Sequence, residues 1–230
     1  MNSAGKSMLV CALLSGVLGG FAEETQWKQF PIWGGGYVQN VEISKSSPNV
    51  WYAYVDVCGP YRSDDAGNSW RPLHQVYSIN ERYRGMNPRS LSIDPRNPDS
   101  IVYVAGNSWN LKGNIYVSRD GGKSVRAVVK DLHFYGNGYR RWTGILLDRN
   151  PFNPDELITA PDSDGIFRGT ENGEKWENAG LKDHFFTDIR YDLAVPGRIY
   201  ACAPAVAPER SADRKPRQTG FYRSDDNGKT

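Results

Sequence analysis

Histidine and cysteine are both scarce in this 230-residue chain, with three of each. His74, His133 and His184 stand far apart and share no ligand spacing, so no metal site is expected and no cofactor is implied. Excess charge of one sign is also missing. Lys and Arg total 28 against 26 Asp and Glu, a net +2, and the signs are mixed along the chain. That balance gives no electrostatic footprint for nucleic acid. The densest basic run, residues 209–217, falls between two apolar strands and is expected to be a solvated loop. Long apolar runs are lacking too. The first apolar core, Met8–Leu14 with Val17 and Leu18, is too short and too interrupted by glycine to span a bilayer. It follows the positive Lys6 and precedes the small-residue site Gly20-Phe21-Ala22, which is the pattern of a cleaved secretory signal. Residues 1–22 are therefore expected to be a signal peptide and residues 23–230 the mature domain, secreted or periplasmic, with no membrane association after cleavage. Export would permit a disulfide, but Cys58 and Cys202 lie in different repeats of the chain and are expected to be separate thiols.

What the sequence does have is an eight-residue phrase that recurs. It reads Ser63-Asp64-Asp65-Ala66-Gly67-Asn68-Ser69-Trp70, then Ser118-Arg119-Asp120-Gly121-Gly122-Lys123-Ser124-Val125, then a worn copy from Gly169 to Trp176, then Ser224-Asp225-Asp226-Asn227-Gly228-Lys229-Thr230. The intervals are 55, 51 and 55 residues. Each copy follows two short runs rich in β-branched and aromatic residues, such as Trp51-Tyr52-Ala53-Tyr54 and Pro60-Tyr61-Arg62, which read as buried strands. Upstream, Asp94-Pro95-Arg96-Asn97-Pro98 and Asn150-Pro151-Phe152-Asn153-Pro154 read as turns, because proline fixes φ and Asn or Asp bonds back to the local backbone. A fixed period carrying several strands marks propeller blades. In the phrase itself, Asp65, Asp120 and Asp226 can gather backbone amides across a hairpin. Gly67, Gly122, Gly173 and Gly228 can take positive φ, and Trp70 and Trp176 open the next strand. These carboxylates are expected to be structural, since a catalytic acid is not needed once per blade.

The phrase resembles the Asp-box, or bacterial neuraminidase repeat, and the chain resembles all-β Asp-box β-propellers over most of its length. About four blades of a seven-bladed ring are expected. The fourth copy stops one residue before the Trp position, so the chain reads as the N-terminal part of a longer protein, with further blades C-terminal to it.

A narrower resemblance rests on the opening segment. Trp33-Gly34-Gly35-Gly36-Tyr37-Val38, a strand, then Asp56-Val57-Cys58-Gly59-Pro60-Tyr61-Arg62 and the first box are similar to the N-terminus of glycoside hydrolase family 74. So are Asp94–Pro98 and the stretch from Gly138 to Gly144. That family comprises xyloglucan-active hydrolases built from two seven-bladed propellers with the cleft between them. The resemblance implies that Asp56 is the base of an inverting hydrolysis. The acid, roughly 6.5–9.5 Å away across the sugar, would come from the second propeller, outside this chain, so the chain alone should be inactive. Cys58 and Pro60 depart from the family's small residues at those places. A polysaccharide or oligosaccharide is the implied partner. Substrate platforms are sought among loop aromatics and arginines: Trp109, Tyr139, Arg141 and Trp142 first, then Tyr77, Tyr83, Tyr135 and Arg140. Two other readings stay open. One is a non-catalytic propeller used for binding or as a scaffold. The other is an exo-sialidase, disfavoured because no early Arg-Ile-Pro phrase is present.

Overall fold

The computed structural model describes residues 27–32, 36–73, 84–106, 112–137, 143–204 and 218–230. The signal segment, Trp33–Gly35 and the basic run at 209–217 lie outside the described residues. Four antiparallel sheets follow one another in chain order. The first holds β1 (Val38–Ile43), β2 (Trp51–Val55), β3 (Gly59–Ser63) and β4 (Arg71–Pro72). The second holds β5 (Pro88–Asp94), β6 (Asn97–Ala105), β7 (Gly113–Ser118) and β8 (Arg126–Leu132). The third holds β9 (Leu147–Arg149), β10 (Leu157–Thr159), β11 (Phe167–Thr170) and β12 (Lys175–Asn178). The fourth holds β13 (Asp188–Tyr191), β14 (Ile199–Ala203) and β15 (Gly220–Ser224). Every strand pairs with its sequence neighbour, and the first strands of successive sheets touch: β1 against β5, β5 against β9, β9 against β13. The sheets are thus blades fanned about the edge formed by their first strands, which is the propeller arrangement.

The apolar runs are continuous rather than alternating because each middle blade is buried on both faces. On β6, Ile101, Tyr103 and Ala105 face blade 1, joining Tyr52, Tyr54 and Leu73. Val102 and Val104 face blade 3, joining Leu147 and Leu157. Tyr103 stacks on Tyr116 with centroids 4.9 Å apart. Between blades 3 and 4 the core is Ile158, Ile166, Ile189 and Ile199. The far side of blade 1 is covered by the segment before β1, where Phe30 meets Trp51 edge-on at 5.3 Å.

Polar links tie blade to blade. The buried Arg62 reaches the Tyr52 hydroxyl at 2.7 Å and Asp99 at 2.6 Å. Arg71 donates to the Gly121 carbonyl, and Arg119 to the Asn172 carbonyl at 2.6 Å. The two proline turns bond as their residue types predict: Asp94 accepts the Arg96 amide at 3.0 Å and Asn150 the Phe152 amide at 2.9 Å. Neither Cys58 nor Cys202 is in a disulfide. Among the described residues, no helix is long and apolar enough to cross a membrane.

Candidate active site

Each sheet has two ends. At one end sits the recurring box. Asp65 accepts the Ser63 hydroxyl at 2.8 Å, the Ser69 amide at 2.8 Å and the Ser69 hydroxyl at 2.6 Å. Asp120 repeats the pattern with Ser118 and Ser124, and Asp226 with Ser224 and Thr230. The hydrogen bonds from Ser69 hold the Asp65 carboxyl down at about 2. At Asp120 burial works the other way, but the Ser124 hydroxyl and amide prevail and the carboxyl again lies at about 2. Gly67, Gly122, Gly173 and Gly228 all have φ between +72° and +85°. Trp70 and Trp176, both half-buried, donate Nε1–H to the Gly67 and Gly173 carbonyls at 3.0 and 2.8 Å. In the worn copy a single 3-10 turn, Glu171–Gly173, replaces the aspartate cage. A Cβ at Gly169 would lie 2.8 Å from the Trp176 ring, which packs over that glycine.

Asp56 stands at the opposite end, in the three-residue turn between β2 and β3. It is 2% exposed. Its Oδ1 accepts the Tyr37 amide at 2.8 Å, and its own amide donates to the Tyr37 carbonyl at 3.1 Å. Gly36 makes this approach possible. Its φ is +116°, and a Cβ there would sit 2.5 Å from Oδ1. Gly36 therefore has a local reason: it lets a backbone amide dock on a buried carboxylate.

Several residues at this end were missed from the sequence. Shifting by 106 residues carries Trp51 onto Leu157 and Ser63 onto Gly169 in equivalent pairings. The same shift carries Asp56 onto Asp162. Both aspartates are 2% exposed, both open a three-residue turn, and both turns end on a left-handed glycine, Gly59 at φ +83° and Gly165 at +92°. The shared pattern Asp-x-x-Gly-x-aromatic-Arg, repeated at Asp162–Arg168, was the available signal. In blades 2 and 4 the same position is Gly106 and Pro204, and the connections are longer. Arg89, 3% exposed on β5, donates to the Thr143 hydroxyl and, at 2.6 Å, to the Gly144 carbonyl. Burial lowers its guanidinium to about 10 and raises the nearby Tyr54 phenol to about 12. An arginine leading into Ser90-Leu91-Ser92-Ile93 was its only sequence cue. Trp109, Tyr139, Arg141 and Trp142 lie outside the described residues, as do Tyr77, Tyr83 and Arg140. Tyr135 is half-buried on the segment that follows β8.

The four blades and the repeated box define an all-β propeller fold. No protein-family model matches the chain. Among curated proteins it is 25% identical over 188 residues to a probable oligoxyloglucan-reducing end-specific xyloglucanase of Neosartorya fischeri, covering 78% of this chain and 23% of that protein. It is 28% identical over 147 residues to the oligoxyloglucan-reducing end-specific xyloglucanase of Emericella nidulans, covering 63% of this chain and 18% of that protein. Of solved structures, the GH74 xyloglucanase of Xanthomonas campestris superposes with a TM-score of 0.69 at 22% identity, over 89% of this chain and 31% of that one. YCF48 from Cyanidioschyzon merolae, at 15% identity, gives 0.51 over 79% of this chain and 54% of that one. The chain thus resembles a stretch of a GH74 propeller, and it spans about a fifth of the length of the curated relatives it matches.

Proposed function

We propose that this chain is the Asp56-bearing part of an exported glycoside hydrolase of xyloglucanase type. The observation that carries the reading is the likeness to xyloglucanases over 63–78% of the chain. In this reading Asp56 is the general base of an inverting hydrolysis. The Tyr37 amide on Oδ1 fixes the rotation of the carboxylate, and in this reading the carboxylate takes the proton of the attacking water. The general acid comes from outside these 230 residues, so the chain alone does not turn over substrate. The test is release of sugar from xyloglucan by the intact protein, with sialyl-lactose as the contrast. Product from sialyl-lactose alone would replace this reading with the sialidase.

A second reading has one observation in its favour. The turn around Asp56 recurs around Asp162 with the same burial. A repeated buried carboxylate suits a scaffold turn, and hence a non-catalytic propeller. Intact protein that binds xyloglucan and never cleaves it would select this reading.

A further inference from the structure

The end of the sheets that carries Asp56 also carries a histidine–aspartate pair. His133 follows β8, which pairs with the start of β7 at that same end. Its backbone amide donates to Asp164 Oδ2 at 2.6 Å, and its ring Nδ1 lies 3.0 Å from both oxygens of that carboxylate. One carboxylate holding both main chain and ring fixes the ring's orientation. A carboxylate only accepts, so Nδ1 carries a proton, and in the neutral ring Nε2 is the acceptor nitrogen. The His133 side chain is 37% exposed, so the ring is open to solvent.

A chain of hydrogen bonds links the pair to the Asp56 segment. Asp164 closes the turn that begins at Asp162, the equivalent of the Asp56 turn, and the Asp162 amide donates to the His133 carbonyl at 2.8 Å. From His133 the chain runs back along blade 2, where the Gly136 amide donates to the Gly106 carbonyl at 2.9 Å. Gln39 Nε2 then donates to the Gly136 carbonyl at 2.8 Å and to the Pro88 carbonyl at 2.9 Å. Gly136 admits no side chain, since a Cβ would sit 1.9 Å from the Asn87 carbonyl oxygen. Gln39 lies two residues from Tyr37, whose amide binds Asp56.

We infer that His133, oriented by Asp164, is a substrate-contacting residue that accepts a hydroxyl of a neutral saccharide on the face that carries Asp56. The inference rests on the glycoside-hydrolase reading above and extends it to a second contact. Charge selects the class of ligand. Asp162, Asp164 and Asp183 lie in this turn or hydrogen-bond to it, so an anionic sugar is repelled and an uncharged hydroxyl is not.

The experiment uses the intact protein and measures kcat, KM and thermal midpoint on xyloglucan oligosaccharides. His133→Ala should raise KM about fivefold to tenfold, the cost of one lost hydrogen bond, with a smaller change in kcat and an unchanged midpoint. His133→Gln, whose amide reaches the place of Nε2, should recover most of the loss. His133→Asn, which reaches only the place of Nδ1, should behave like His133→Ala. A KM within twofold of wild type in His133→Ala overturns the inference while leaving the hydrolase reading intact. So does recovery by Asn rather than Gln, which would mark a purely structural ring. Wild-type protein that neither binds nor cleaves the oligosaccharide overturns the hydrolase reading and this contact together.

Discussion

The two ends of these sheets are built on different principles. At the box end, each aspartate is satisfied inside its own eight residues, and blades 1, 2 and 4 repeat the same bonds. At the other end, the described carboxylates reach for distant partners. Asp56 depends on Tyr37, 19 residues away, and Asp164 on His133, 31 residues away. Blades 1 and 3 share a tight turn there while blades 2 and 4 do not. Local satisfaction makes a part repeatable. Dependence on distant partners makes it individual, and individuality is what a site requires.

The sharpest way to break this contrast is to neutralise the two equivalent turns separately. Asp56→Asn keeps an oxygen for the Tyr37 amide while removing the base. Turnover of xyloglucan by the intact protein should fall about 10²–10⁴-fold, with circular dichroism unchanged. Asp162→Asn should leave a residual rate far above that of Asp56→Asn. Equal losses in both would make the turns one structural device and remove Asp56 from the chemistry.

The next effect is on stability. Gly165 has φ +92°, and a Cβ there would approach the Gly180 carbonyl oxygen at 2.2 Å, a backbone atom that cannot step aside. Gly165→Ala should cost about 2–3 kcal/mol by urea titration. Gly180 has a similar φ of +99° but open space around it. Gly180→Ala should cost only the backbone strain, about 1 kcal/mol.

The box end was legible in the sequence because it is local. Ser63, Asp65, Gly67 and Ser69 lie within seven residues, and their types dictate their bonds. The blade strands were legible for the same reason: β6 is an unbroken apolar run because both its faces are covered. The opposite end was legible only where a resemblance pointed to it. Asp56 stood out beside a glycine run, whereas Asp162 carried the same turn and was passed over, since no glycine run faces it. Nothing within ten residues of His133 announces Asp164, because their meeting depends on how blade 3 docks on blade 2.

A smaller effect tests the box end where the first strands meet. Glu42 on β1 and Asp148 on β9 line one cavity of about 300 Å³ with Lys45, Arg149 and Arg190. Burial, then repulsion by Asp148, raises the Glu42 carboxyl to about 7 against the pull of Arg190 and Lys45. A folded-state pKa above the unfolded one means that the folded protein holds the proton more tightly. Stability therefore falls as pH rises from about 4.5 to about 7, and the penalty is complete above that window. Glu42→Gln should flatten this slope and raise the urea midpoint at pH 8 but not at pH 4.

The smallest effect compares an intact box with the worn one. Asp120→Ala removes acceptors for the Ser118 hydroxyl and for the Ser124 amide and hydroxyl. It should cost about 1–2 kcal/mol. Its depressed pKa makes that contribution complete above the unfolded carboxylate value of 3.8 and lost as pH falls through about 2. Glu171, at the same place in the worn copy, makes one exposed ion pair with Lys175. Glu171→Ala should be near neutral at any pH. If the two substitutions cost the same, the aspartate cage is not what holds the box together. Stability at this end would then come from the left-handed glycines, which all four copies retain.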